Sequence, residues 1–284
     1  MDDYERFKRN ILARTGIDLF MYKEEQMKRR LTSLKNKYQA ATFDEFFRMM
    51  ESDPEIMKAC LDRMTINVSE FFRNRQRWHV LEDDILPALL SGRSGRFKVW
   101  SAACSSGEEA YSLAIVLSRH LPAGGYDILA TDLDEKVLAA AERGVYGETS
   151  LKELTEAERS RYFYKEADGF RIKPEYRAPI RFKKHNLLAD PFESGFDLIV
   201  CRNVLIYFTD EAKAALYHKF SNALRPGGVL FVGSTEQIFN PGEYGLESIA
   251  TFFYRKAVTT GDGHAPGPDR PTRSSSPGQR VPTV

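Results

Sequence analysis

A run of very small residues between an apolar strand and two carboxylates is the part of this sequence best suited to chemistry. Phe97, Val99 and Trp100 have strand character, Ser101 to Gly107 carry almost no side-chain bulk, and Glu108-Glu109 open an apolar helix through Leu113, Ile115, Val116 and Leu117. A loop this bare lets a ligand lie directly against the backbone. The two carboxylates suit the first turn of a helix, where the macrodipole is positive. They do not suit a pyrophosphate, which needs free N–H groups and positive charge, and the pattern G-x-G-x-x-G is absent. A ligand without phosphate but with an ammonium or sulfonium group fits better, and S-adenosylmethionine (SAM) is such a ligand. The competing reading is a plain strand–turn–helix with no ligand.

The other candidates are residues that end strands, because ligands of an open α/β sheet bind at the carboxyl ends. Asp132 ends Tyr126–Asp132 and is placed to accept hydrogen bonds from ribose hydroxyls. Asp134 already offers the cap for the following helix, which favours that role. Asn186 could read an adenine edge with Leu187 over the ring, or both could be ordinary strand-end residues. Arg202-Asn203 closes a fully apolar strand of parallel-sheet type, Phe196–Cys201.

The elements that must position these groups follow from periodicity. Residues 1–66 read as short helices: Tyr4, Phe7 and Ile11 share a face with Gly16 as the stop, and Met27, Leu31, Leu34 and Tyr38 form the next face. Thr42 with Glu45 is a capping-box pattern, and Asp53-Pro54 is a cap with proline at the first helical position. Asn67 to Asn74 breaks the pattern, and a helix is expected from about Arg75 to Leu90 with Trp78, Leu81 and Ile85 on one face. Residues 146–180 look inserted, with a second capping box at Thr155 and Glu158 and a tight hairpin turn at Asp168-Gly169. Arg181–His185 is the third core strand. Arg225 to Gly228 is a turn before strand Val229–Gly233, and Thr251–Arg255 is a last, edge-like strand. Strands alternating with helices indicate a doubly wound, mostly parallel α/β sheet.

Composition narrows the function. The chain has 284 residues with 41 basic and 40 acidic side chains, so it does not advertise nucleic-acid binding. Its 3 cysteines (Cys60, Cys104, Cys201) fit no zinc or disulfide pattern and read as buried free thiols. The start Met-Asp-Asp-Tyr is no signal peptide, and no apolar stretch is long enough to span a membrane, so a cytoplasmic protein is expected. From Thr259 onward the composition turns to proline, glycine and serine and cannot bury enough surface to fold. Helix two carries Lys28, Arg29, Arg30, Lys35 and Lys37. The ordinary account is a solvated face with Glu24/Lys28 and Glu25/Arg29 pairs.

Six stretches in order resemble the chemotaxis receptor methyltransferase (CheR) family: N-V-S-E-F-F-R (67–73), V-W-S-A-A-C-S-S-G-E-E-A-Y-S (99–112), A-T-D-L-D (130–134), H-N-L-L (185–188), C-R-N-V-L-I-Y-F (201–208) and L-R-P-G-G-V-L-F-V-G-S-T-E (224–236). The resemblance spans about residues 5–256. It implies a Rossmann-like SAM methyltransferase fold with an N-terminal all-helical domain (1–75), a SAM-binding domain (76–256), a small antiparallel β-subdomain inserted at 146–180, and a tail (257–284) outside the family pattern. It implies protein-glutamate O-methylation of chemotaxis receptors, with S-adenosylhomocysteine as product and no metal. It carries SAM contacts onto Asn67, Ser69, Arg73, Glu109, Asp132, Asn186, Leu187, Arg202 and Asn203, and places Arg73 and Tyr207 near the transferred methyl. Ser69 stands where threonine is common; both are hydroxyls. Read from residue type alone, Arg73 is more readily a surface ion pair and Tyr207 a core residue.

Glutamate suits a light catalytic apparatus, since it is already ionised at neutral pH and needs no general base. The resemblance implies acceptor segments that are helical and rich in Glu and Gln, which makes Lys28, Arg29 and Arg30 a candidate docking face, with the β-subdomain as a second. A monomer with no nucleic acid and no membrane insertion is expected, recruited to membrane receptor arrays. The alternatives are a SAM methyltransferase acting on a small-molecule carboxylate and a non-catalytic SAM-sensing module.

Overall fold

Side-chain caps at Thr42 and Asp53 set the starts of the third and fourth helices of the N-terminal region. The computed structural model describes residues 2–65 and 67–258; the expected tail from Thr259 lies outside them. Helices α1 (Asp3–Thr15), α2 (Glu24–Lys37), α3 (Phe43–Ser52) and α4 (Pro54–Met64) enclose one apolar core around Phe7, Ile11, Leu31 and Phe46. Gly16, at φ 73°, ends α1, and Asp53 accepts from the Glu55 N–H to start α4 behind Pro54. The capping box at Thr42 is half made: Thr42 accepts from the Glu45 N–H, whereas the Glu45 carboxylate takes the Ala41 N–H instead. The i,i+4 pairing expected along α2 is replaced by contacts to the preceding chain. Glu24 binds Lys8 at 2.6 Å and Lys28 binds Asp2 at 3.3 Å.

Helix α5 (Arg75–Val80) runs through a wider turn at Leu81–Ile85 into α6 (Leu86–Leu90). The expected single helix thus carries a π-type segment just before Pro87, which has no N–H to give an α-helical ladder.

The main sheet has seven strands in the order β6-β2-β1-β7-β8-β10-β9. They are β1 (Phe97–Ala102), β2 (Tyr126–Asp132), β6 (Ile180–Lys184), β7 (Phe196–Cys201), β8 (Leu224–Val232), β9 (Leu246–Ala250) and β10 (Phe253–Lys256). The first five in that order are parallel, and β10 and β9 close the edge antiparallel. Alternation along β1 divides the core. Phe97 and Val99 face α5, α6 and α7 (Glu108–Ser118), while Trp100 and Ala102 face α11 (Asp210–Ala223). At the far end from the ligand loops, the buried Asp197 carboxylate takes the Lys98 N–H at 2.7 Å and pairs with Arg93 and Arg225.

Two expected turns differ. Residues 225–228 do not precede β8 but bulge within it, since Phe196 pairs with Leu224 and Leu198 with Val229. Thr251-Phe252 is a hairpin turn, and the edge strand is β9, a short segment without the strict apolar–polar alternation that marks a strand.

The inserted segment forms its own antiparallel sheet, β3 (Val145–Tyr146) beside β5 (Gly169–Ile172) beside β4 (Phe163–Glu166), behind α8 (Glu135–Arg143) and α9 (Glu156–Tyr162). Glu166 pairs with Gly169, so the turn residues are Ala167-Asp168, one position before those expected. Thr155 and Glu158 make a complete capping box on α9. Arg75, which binds Glu158 and the Glu153 carbonyl, and Arg119, which donates to the Tyr162 hydroxyl, tie this segment to the rest, and so do three further hydrogen bonds. Tyr146 Oη donates to the Ser106 carbonyl at 2.8 Å, Ser150 Oγ donates to Glu108 at 3.1 Å, and the Phe71 N–H donates to the Ser150 carbonyl at 3.0 Å.

Candidate functional site

The carboxyl ends of β1, β2, β6 and β7 open into one cavity roofed by the helical region. Asn67, Ser69, Arg73, Glu109, Asp132, Asn186, Leu187, Arg202, Asn203 and Tyr207, all singled out from sequence, line it together. Strain concentrates here. Phe72, Asn74, Ala103, Ser105 and Asn203 all have positive φ without being glycine (51–64°), as expected where backbone is bent to present groups to a ligand. Gly107, at φ 94°, is required by close approach: a Cβ there would lie 2.8 Å from Ala141 Cβ.

The small loop is held by buried carboxylates. Asp132 accepts from the Ser105 N–H at 2.8 Å and the Asp134 N–H at 3.0 Å, while Asp134 caps α8 through the Lys136 N–H. Burial pushes the Asp132 carboxyl up, against those hydrogen bonds. The Glu108-Glu109 pair divides. Glu108 turns away to Ser106 and Ser150, and Glu109 alone faces the cavity, accepting from Ser101 Oγ at 2.8 Å. Burial raises the Glu109 carboxyl, with Arg202 opposing.

Arg202 is wedged between the rings of Trp78 and Phe231. One of its terminal nitrogens donates to the Arg73 carbonyl at 2.7 Å, and the other lies 3.5 Å from a Glu109 oxygen. Burial lowers its pKa. The next loop is held by a residue that sequence reasoning did not single out as part of the site. The buried Glu236 carboxylate accepts from the N–H groups of Asn203 (2.7 Å), Gly233 (2.8 Å) and Ile206 (3.3 Å). It therefore sets the backbone between Asn203 and Tyr207. Glu236 lies within the last family-like stretch, but no periodicity marks a carboxylate that binds backbone from a distance.

Arg73 reaches back to the Val68 carbonyl at 3.2 Å and forms no ion pair among the described residues. Tyr207 is half-buried at the cavity wall, not in a core, and burial raises its phenol above the ordinary value. Asn67 donates to Asp134 at 2.8 Å. Asn186 is partly committed to its own turn, accepting from the Leu188 N–H at 3.0 Å, while Leu187 is buried against the cavity. Among the lining residues that sequence reasoning did not single out are His185, whose ring nitrogen Nε2 faces the Pro191 carbonyl at 3.2 Å, and Tyr22 from the helical region.

The basic run on α2 does not present one face. Arg29 is exposed, Lys28 pairs with Asp2, and Lys35 donates to the Ala40 and Ala41 carbonyls at 2.9 and 3.0 Å. Arg30 turns toward the site and donates to the Thr65 carbonyl at 2.9 Å. The three cysteines are free and buried. Among the described residues no helix is long and apolar enough to cross a membrane.

What the arrangement can do is bind a cationic ligand against Glu109 and Asp132 on a bulk-free loop, beside a guanidinium and a neutral phenol. Comparison with known proteins agrees. Residues 67–252 match the family model described as "CheR methyltransferase, SAM binding domain", and residues 2–65 match "CheR methyltransferase, all-alpha domain". The chain is 52% identical over 254 residues to the chemotaxis protein methyltransferase of Listeria innocua, covering 89% of this chain and 97% of that one. It is 33% identical over 254 residues to chemotaxis protein methyltransferase 1 of Pseudomonas aeruginosa, covering 85% and 93%.

Proposed function

The chain belongs to the CheR methyltransferase family, and from that premise we propose how its cavity serves the reaction. The protein is a SAM-dependent methyltransferase of chemotaxis receptors that esterifies receptor glutamates. The observation that carries our assignment of roles is the convergence of all ten sequence-selected residues on one cavity.

SAM supplies an electrophilic methyl on a sulfonium; the methyl–sulfur bond breaks as a carbon–oxygen bond forms, and the electron pair stays on sulfur as S-adenosylhomocysteine. The residues present fit such a donor. Glu109 and Asp132 are buried carboxylates held against desolvation, which a cationic ligand would relieve. Asp132 takes the ribose, Asn186 and Leu187 the adenine, and Glu109, with Arg202 behind it, the ammonium end. Asn67, Ser69 and Asn203 complete the contacts.

No proton moves, because a glutamate carboxylate is the nucleophile as it stands. Arg73 and the Tyr207 hydroxyl hold its oxygens in line with the methyl. Positioning of this kind is worth at most roughly 7–11 kcal/mol. Charge is lost as sulfonium and carboxylate combine, so the helical region that covers the cavity helps by excluding water.

We assign the helical domain (1–75) to roofing and receptor contact and residues 76–256 to the chemistry. The exposed Arg29, with Lys28, is the receptor-facing cation pair, and the β-subdomain is a second contact. The working unit is a monomer recruited to receptor arrays. The test incubates the protein with methyl-labelled SAM and receptor-containing membranes, then adds base. Label released as methanol identifies carboxyl methyl esters; label that stays soluble, on a small acceptor, would overturn the assignment.

A further inference from the structure

The geometry points to Tyr22 as a donor-binding residue supplied by the helical region: its hydroxyl hydrogen-bonds the nucleoside half of the donor beside Asp132. This rests on the SAM-binding reading above and extends it to a residue outside the family-like stretches.

Tyr22 has an unusual place in the molecule. It packs against both the helical core and the core on the α11 side of the sheet. It forms an antiparallel bridge with Phe208, in which the Lys23 N–H donates to the Tyr207 carbonyl and the Thr209 N–H to the Met21 carbonyl, both at 2.9 Å. Its ring meets the Phe208 ring edge-on, with centroids 5.1 Å apart. The backbone is thus fixed on both sides, and the side chain is presented to the cavity.

The hydroxyl has work left to do. It makes no hydrogen bond among the described residues, in contrast to Tyr111, Tyr126 and Tyr146, which each donate to a carbonyl. Burial, then the charges of Asp132 and Asp18, push its phenol up to about 12, so at neutral pH it is a protonated donor. A partly desolvated O–H beside a carboxylate assigned to ribose needs an acceptor, and a ribose oxygen or purine nitrogen is the class of atom that reaches this part of the cavity. The bridge to Phe208 also means that a donor gripped by Tyr22 is registered against the strap that carries Tyr207.

The experiment compares wild type and Tyr22→Phe by calorimetry with SAM, S-adenosylhomocysteine and 5′-methylthioadenosine, which keeps the nucleoside but lacks the amino-acid end. We expect all three to bind roughly three- to tenfold more weakly to the variant. The Tm should be unchanged, and KM for SAM should rise by the same factor as the Kd. Unchanged affinities, or a loss confined to the two ligands that carry the amino-acid end, would overturn the proposal. Absence of SAM binding to the wild type would instead overturn the reading on which it rests.

Discussion

Arg202 donates a 2.7 Å hydrogen bond to the backbone carbonyl of Arg73, across 129 residues of sequence. The same guanidinium faces Glu109, so one buried cation joins the residue assigned to the acceptor with the one assigned to the donor. Removing it strands a buried carboxylate and a carbonyl together. Arg202→Met should cost about 3–5 kcal/mol, a fall in Tm of roughly 10 °C, measured by calorimetry without ligand. Arg202→Lys should not rescue it, because an ammonium cannot serve both partners and stack between two rings.

Tyr207 is assigned to orienting the acceptor, with no proton to move. Tyr207→Phe should lower kcat by about tenfold, the worth of one hydrogen bond in the transition state. The Kd for SAM should stay as it is. Because burial holds the phenol above its ordinary value, the wild-type rate should show no ionisation of this group below pH 10. A loss of SAM affinity in the variant would show that the side chain belongs to the donor site instead.

Glu109 gives the pH dependence. Its carboxyl lies above the ordinary value of 4.5, chiefly through burial. The ionised form is the one that attracts an ammonium group, so SAM affinity should fall as pH drops through the raised value. Binding near that value should release protons, seen as a dependence of the calorimetric heat on buffer. Glu109→Gln should bind SAM more weakly at neutral pH and flatten the profile. In the unliganded protein the folded state holds this proton to higher pH than the unfolded chain, so the group's contribution to stability declines as pH rises from 4.5 through the raised value.

Receptor recognition separates two neighbouring arginines. Arg29→Glu, at an exposed position, should raise KM for receptor and leave SAM affinity and Tm unchanged. Arg30→Glu should lower Tm and disturb the site, because its guanidinium binds the Met64 and Thr65 carbonyls next to the cavity. Steady-state kinetics with membranes and a thermal melt distinguish the two.

Much of this architecture was legible where information is local. The caps at Asp53, Thr155 and Asp134 and the stop at Gly16 follow from short-range rules. Glu109, Asp132, Asn186, Leu187, Arg202 and Asn203 were selected because strand ends are the places where an α/β sheet presents ligands, whereas Asn67, Ser69, Arg73 and Tyr207 came from the family resemblance alone. What escaped lies in long-range contacts. Glu236 acts on backbone N–H groups 30 and 33 residues away. Tyr22 sits in a segment whose apolar residues serve two cores at once. Strand β9 was missed because its five residues, at the sheet margin with one paired neighbour, do not alternate strictly between apolar and polar. The division of α2 into paired and exposed cations was hidden for a like reason: Lys28 and Arg30 have their partners outside the helix.

The small antiparallel sheet is fastened through Tyr146 and Ser150, at its base. Its hairpin tip, Tyr164 to Asp168, takes no part in those attachments. The appendage therefore behaves as a handle with a bolted root and an interchangeable end. Swapping the tip for that of a relative should alter what the handle grasps while leaving the donor loop undisturbed, whereas a cut at the root would loosen Ser106 and Glu108 together.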